Sequence, residues 1–244
     1  MEQSTDSIEP LVSIVTLSSF DPEGFYKTVT SVKEQSYKNW ELIAVVDERS
    51  EANVNVATQM KNEISKIKIF FDQGFGIYPA MNLGIDKSSG MFIIFMNSSD
   101  YFAYPDSLTV LVEAIKSGNC DLVIGGFHVQ GNTVCGRVFK EKIVGLRSFA
   151  FNRSWGCHQS MLFRKNENVY YETKYRFASD FDLVLKLLKI GKVKRIPNDS
   201  NLKTLINEKK EIRRVHLKGT LNQSLNWLWT FGALMNLQMK NLVK

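Results

Sequence analysis

The chain is poor in the features that would make it a disulfide-built, secreted or membrane-spanning protein. Its 244 residues hold only three cysteines, Cys120, Cys135 and Cys157, widely spaced and with no C-x-x-C pair. That argues against a disulfide framework or a zinc knuckle and fits a reducing cytosol. Residues 1–10 are acidic and polar, without the basic-then-apolar order of a secretory leader. The longest apolar-rich stretch, 225–237, is broken by Asn226, Thr230 and Asn236, too short and too polar to span a bilayer. The expected location is therefore cytoplasmic. No G-x-G-x-x-G follows the first apolar run, and no G-x-x-x-x-G-K-S/T occurs, which disfavours a dinucleotide dehydrogenase or a P-loop NTPase. Internal repeats and low-complexity linkers are absent too.

What is present is an ordinary globular composition, 44% hydrophobic and 23% charged, with an uneven charge. The net charge is +6, but residues 186–218 alone carry eleven Lys/Arg against three Asp/Glu. Such a segment suits anionic partners: phosphates, nucleic acid or an anionic membrane surface. No nucleic-acid-binding module accompanies it, so nucleic acid is not expected as a partner.

Apolar runs alternate with helical patterns. Residues 11–17 (LVSIVTL) and 40–46 (WELIAVV) read as strands. Between them, Asp21-Pro22 opens a helix over 22–35 as cap and first-turn proline. The rhythm continues through a helix at 53–64, a strand at 67–71, a helix at 80–87 and the strand 91–96 (MFIIFM). That last run is apolar on both faces, as in the centre of a parallel sheet. A helix at 106–117 closed by Gly118 and a strand at 122–124 complete a doubly wound α/β pattern through about residue 127. Beyond it lie a hairpin arm at 132–139, a short strand at 160–164 and an amphipathic helix at 180–190 ended by Gly191. A terminal helix rich in Trp, Leu and Met is expected over 219–243.

Ligands of an open parallel sheet bind beyond the carboxyl ends of its strands. The first exit offers Ser18, Ser19 and Phe20, and the second Asp47, Glu48, Arg49 and Ser50. The third carries Asp72, Gly74 and Gly76, and the fourth Asn97, Ser98, Ser99 and Asp100. A carboxylate at the end of a buried central strand is well placed to hold Mg²⁺ or Mn²⁺ against a diphosphate. Asp100 is the candidate, with Asn97 or Ser99 as weaker oxygen donors. His128, Cys157 and His158 lack any zinc-ligand spacing.

Six segments occur in one order: SIVT (13–16), QSYKNWELIAVVD (35–47), DQGFGIYPAMNLGI (72–85), FMNSSD (95–100), CHQSMLFRK (157–165) and ASDFDLVLKL (178–187). Together they resemble the inverting family-2 glycosyltransferases, above all bacterial enzymes that build surface polysaccharides. The resemblance implies the GT-A fold: a Rossmann-like, mainly parallel sheet flanked by helices, followed by an acceptor-side region and a terminal helix. It divides the chain into a polar tail (1–10), a nucleotide-sugar-binding half (11–127), an acceptor and catalytic half (128–218) and the terminal helix (219–244).

It also implies roles. Asp47 contacts the nucleotide base, with Thr16 and Ser18 lining the same pocket; Asp72 and Asn82 shape the nucleotide and donor-sugar site. Asp100 matches the last acidic residue of a metal motif, with Ser99 beside it. Asp180 matches the general base, supported by Asp182, while His158 and Gln159 lie near the reacting centre or the diphosphate. The implied partners are a nucleoside diphosphate sugar, a divalent metal and a saccharide or lipid-linked acceptor. The Trp-rich terminal helix then packs on its own domain, on a second subunit as a homodimer, or on the inner membrane as a peripheral contact.

The chain departs from the family at several points. Ser99 stands where a second Asp is usual, and Pro79 where an Asp is usual. Glu48-Arg49 replaces the residues that usually follow Asp47, and Ser179 the acidic residue often preceding the base. Two classes of function are thus set side by side: an inverting glycosyltransferase, and a non-catalytic binding or scaffold protein on the same fold. A nucleotidyltransferase is weaker, because its glycine-rich basic phosphate loop is missing.

Overall fold

The computed structural model describes residues 9–18, 20–126 and 157–196. Strands β1 (Val12–Ser18), β2 (Trp40–Asp47), β3 (Ile67–Asp72) and β4 (Phe92–Phe95) alternate with helices α1 (Pro22–Lys33), α2 (Glu51–Glu63) and α3 (Ile77–Lys87). Then come α4 (Ser107–Gly118), β5 (Leu122–Ile124), a 3₁₀ turn (His158–Ser160), β6 (Met161–Arg164), α5 (Ser179–Ile190) and β7 (Val193–Arg195). One seven-stranded sheet results, in the order β3-β2-β1-β4-β6-β5-β7. Only β6 runs antiparallel to its neighbours, β4 and β5, so the sheet is mainly parallel as expected.

Period-two alternation divides the core between the two faces of this sheet. Val12 and Ile14 of β1, Leu42, Ala44 and Val46 of β2, and Phe92 and Ile94 of β4 face one cluster, with Phe25, Val29, Met60, Leu108 and Ile115. Val15, Ile43, Val45, Ile93 and Phe95 face the other, with Tyr78, Met81, Ile85, Phe181 and Leu187. Helices α1, α2 and α4 thus cover one face, and α3 and α5 the other. β2 and β4 are buried at every position, which explains their apolar runs. Helix α3 lies so close to β1 that a Cβ on Gly84 would stand 2.3 Å from Val15 Cγ1.

Several boundaries differ from expectation, each for a local reason. Asp21 caps α1 by accepting from the Gly24 N–H at 2.9 Å, as its sequence promises. Helix α3 begins at Ile77, ahead of the expected 80, because Pro79 sits in the first turn, where no intrahelical N–H is required. Gly118 does not close α4: it is the last helical residue, and Asn119 takes the left-handed cap at φ 42°. Gly191 does end α5, but in extended backbone (φ −125°, ψ −178°). β7, beside β5, has no counterpart in the expected pattern. The hairpin arm at 132–139, His128, Cys135, the basic stretch beyond 196 and the terminal helix at 219–244 lie outside the described residues. No described helix is long and apolar enough to cross a membrane.

Candidate functional site

The carboxyl ends of β1, β2, β3 and β4 form one rim, and the acidic residues expected there are on it. Thr16 is fully buried near the end of β1, its hydroxyl without a hydrogen-bond partner. Ser18 accepts from Asn53 Nδ2 at 2.5 Å, and Asn53 accepts in turn from Ser50 Oγ at 3.1 Å, which pins the start of α2 to β1. Asp47 is buried and holds Arg49: its Oδ1 accepts from Nε at 2.8 Å and its Oδ2 from Nη2 at 2.6 Å. The hydrogen bonds and charge of Asp47 raise the Arg49 pKa, and Asp72, opposite Asp47 in the β2–β3 register, adds a smaller push. Gly74, at φ 77°, leaves the room Arg49 fills, since a Cβ there would lie 1.9 Å from Nη2. Phe20, 69% exposed and at φ 41°, turns its ring toward the guanidinium, 6.0 Å away.

The fourth exit joins the later part of the chain. Burial pushes the Asp100 carboxyl up to about 6, with a hydrogen bond from the Gln159 side chain pulling it back. Gln159 Oε1 accepts from the Cys157 thiol at 2.7 Å. Burial lifts that thiol to about 12, with the fields of Asp100 and Asp180 adding to it, so all three groups share one neighbourhood. Asp180, in the first turn of α5, is buried, and its Oδ1 accepts from Tyr78 Oη at 3.2 Å. Burial raises its pKa above the usual carboxylate value, while the Phe181 N–H and the Tyr78 hydroxyl lower it. Ser99 points elsewhere: at φ 72° it donates to Asp21 Oδ2 at 2.5 Å, tying the fourth exit to the cap of α1.

Beneath these groups lies an aromatic floor. His158 Nε2 is 2.6 Å from Tyr171 Oη, and its ring packs on Phe95 with centroids 5.2 Å apart. Complete burial depresses its pKa to about 4, so it is neutral at physiological pH. Asn82 spends both amide atoms on the Tyr171 backbone, at 2.8 and 2.9 Å, and so positions that floor from α3. Tyr171 stacks on Tyr78, centroids 5.5 Å apart. Asp182 faces away from Asp180 and pairs with Lys186 at 3.1 Å.

The rim therefore holds Asp47 and Asp72 at the paired ends of β2 and β3 and Asp100 beyond β4, with Gln159 bonded to Asp100 and Cys157 within the fields of both Asp100 and Asp180. It also brings in Arg49, Tyr78, Cys157 and Tyr171, none of which was assigned a role from sequence. Tyr171 lies outside all six segments of the resemblance and Tyr78 inside 72–85 without a role; Arg49 stands at the second exit only as a departure. Among the described residues no three His, Cys, Asp or Glu side chains gather as a metal cage. The oxygen donors at the fourth exit are Asp100 and the buried Asn97 Oδ1, which has no hydrogen-bond partner.

Comparison with known proteins agrees with this geometry. The chain is 29% identical over 180 residues to the uncharacterized glycosyltransferase Rv1514c of Mycobacterium tuberculosis, covering 72% of this chain and 68% of that one. It is 24% identical over 188 residues to the Escherichia coli UDP-Glc:alpha-D-GlcNAc-diphosphoundecaprenol beta-1,3-glucosyltransferase WfgD, covering 76% and 73%. The fold matches S. aureus TarS 1–349 in complex with UDP at a TM-score of 0.65 and 17% identity, over 77% of this chain and 58% of that one. TarS thus shares the GT-A fold, and this chain spans a little over half of that 1–349 fragment and 35% of the longer TarS chain. The model of Glycosyl transferase family 2 matches residues 13–184, from the first strand through the Asp180 helix, and the chain belongs to that family of inverting glycosyltransferases.

Proposed function

We propose that the chain transfers a sugar from a nucleoside diphosphate donor to a hydroxyl of a saccharide or lipid-linked saccharide, in the building of a surface polysaccharide. The observation that carries this reading is that Asp100, bonded by Gln159 beyond the end of β4, and Asp180, held by Tyr78 at the start of α5, both bear on Cys157. Residues 11–127 form the donor half and residues 128–218 the acceptor half. Asp47, Thr16 and Ser18 belong to the base side of the donor, and Asp72 and Asn82 to the walls of the sugar site.

Asp180 acts as the base. A buried carboxylate with a raised pKa is a better proton acceptor than an exposed one. It removes the acceptor hydroxyl proton as that oxygen attacks the anomeric carbon. The bond from that carbon to the diphosphate breaks on the opposite side, so the configuration inverts. Tyr78 holds the carboxylate by one oxygen, and the aromatic floor of His158, Tyr171 and Phe95 fixes its surroundings.

The donor set fits a hard divalent cation: one carboxylate, Asp100, and an unpartnered buried amide oxygen, Asn97 Oδ1. Bound there, Mg²⁺ or Mn²⁺ would supply positive charge against the departing diphosphate. The acceptor named for WfgD is diphosphoundecaprenol-linked, and a comparable acceptor would bring this chain to the cytoplasmic face of the membrane as a peripheral protein.

The test is calorimetric titration of UDP, GDP, CDP and dTDP into the full chain, with and without Mn²⁺, and into Asp100→Ala. The expected result is metal-dependent binding of a nucleotide, weakened in Asp100→Ala. Metal-indifferent binding would remove Asp100 from its role, and no binding by a folded sample would overturn the donor site.

A further inference from the structure

The pair Arg49–Phe20 stands at the base end of the rim and is not explained by catalysis. Arg49 stands where the chain departs from the residues that usually follow Asp47, and Gly74 makes room for it. Its guanidinium is locked rather than adrift: Nε and Nη2 donate to the two oxygens of Asp47, and the Arg49 N–H donates to Asp47 Oδ1 at 3.1 Å. A guanidinium has five N–H groups in a planar fork. Asp47 takes two of them, on the Nε–Nη2 edge, and the Nη1–Nη2 edge beyond it can donate two parallel hydrogen bonds. Phe20 supplies an exposed ring on the same exit, a surface on which a base can stack.

We propose that Arg49 selects the donor by its base, favouring one whose edge presents two adjacent acceptors. Guanine does so with O6 and N7, and cytosine with O2 and N3. Uracil flanks each carbonyl with an N–H, and adenine sets its amino group beside N7, so each meets the fork with at least one donor against a donor. A base stacked on Phe20 covers the half-exposed guanidinium, and a donor set against a donor then forfeits one charge-assisted hydrogen bond of the pair. Asp47, bound to Arg49 by both oxygens, then acts on the base through the guanidinium it orients.

This inference rests on the strand exits being the nucleotide-sugar site, and the experiment separates the two. GDP, CDP, UDP and ADP are titrated with Mn²⁺ into the full chain, Arg49→Lys and Arg49→Gly. The expected result is GDP or CDP binding roughly tenfold or more tighter than UDP and ADP, as one bidentate pair discriminates. Whichever of GDP and CDP binds tighter identifies the base. In both variants the four affinities should draw within a few-fold of one another, and Arg49→Lys keeps the charge, so loss of selectivity there marks the fork rather than the cation. Uridine binding as tight as guanosine or cytidine in the wild type overturns the role of Arg49 and leaves the donor site standing. So does a preference that survives Arg49→Gly. Binding of none of the four overturns both.

Discussion

At the scale of single residues, buried carboxylates divide into those that stabilise the fold and those that cost it stability. Glu41, at the start of β2 and far from the strand exits, accepts from Ser13 Oγ at 2.6 Å, Ser89 N at 2.6 Å, Ser89 Oγ at 2.8 Å and Lys68 Nζ at 2.6 Å. Burial alone would raise its pKa, but those bonds outweigh it and bring it down to about 2. Its contribution is therefore fully present above the unfolded value near 4.5 and is lost as pH falls through 2. Glu41→Gln should cost about 2–3 kcal/mol in urea at pH 7, and the deficit should shrink between pH 4.5 and 2. A deficit that does not change with pH would show that Glu41 acts by shape alone. Asp100 has the opposite sign. Its folded pKa is raised from 3.8 to about 6, so without metal it opposes folding in full above that pH, and the penalty fades as the pH falls from 6 to below 3.8. Asp100→Asn should raise the unfolding free energy measured in urea at pH 7 by roughly 1–2 kcal/mol while abolishing transfer. Asp180→Asn should lower kcat by about 10²–10⁴ with donor affinity little changed; retained turnover would remove Asp180 as the base. Much of this was legible in sequence, because Asp47, Asp72, Asp100 and Asp180 lie at strand ends or a helix start. The Asp47–Arg49 pair, the turn of Ser99 toward Asp21 and the use of Asn82 on Tyr171 were not. Each depends on where a short polar side chain finds its partner, and no periodicity records that.

At the scale of elements, helix α3 couples the sheet to Asp180, the proposed base. Gly84 lets it sit against Val15 of β1, and six residues earlier Tyr78 reaches Asp180. Gly84→Val should push the helix outward, costing about 1–3 kcal/mol by overpacking and shifting the Tyr78 hydroxyl from its carboxylate. The expected signature is a fall in both urea midpoint and kcat, whereas Tyr78→Phe should lower kcat with a smaller effect on stability. An unaltered midpoint in Gly84→Val would mean that the contact yields by a small movement of Val15. Helices and long strands were readable because burial repeats along them every 3.6 or 2 residues. β7 was not: its three residues, Val193–Arg195, carry too few positions to show a period, and tertiary pairing with β5 decides its state.

At the scale of the whole molecule, the direction of one strand decides whether a site exists. β6 pairs with β4 antiparallel, Phe92 opposite Arg164 and Ile94 opposite Leu162. Its first residue therefore stands at the carboxyl end of β4, and the turn before it delivers Cys157, His158 and Gln159 beside Asp100. A parallel strand in the same slot would present its other end there and carry that turn to the far side of the sheet. The sequence pattern announces a short strand at this place but not its direction, since residues alternating Met161, Leu162, Phe163 are buried on both faces either way. Because β6 also pairs with β5, the strands before and after residues 127–156 share one sheet with a core cluster on each face. Unfolding should then be a single cooperative event, and nucleotide binding at the exits of β1 and β2 should protect the far edge as well. Hydrogen exchange followed against urea tests this: the amides of Ile43 in β2 and Leu162 in β6 should lose protection at the same concentration, and a bound nucleotide should shift both equally. If Leu162 exchanges first and ignores the nucleotide, β6, β5 and β7 form a separate unit, and Asp100 and Asp180 meet only when that unit is docked.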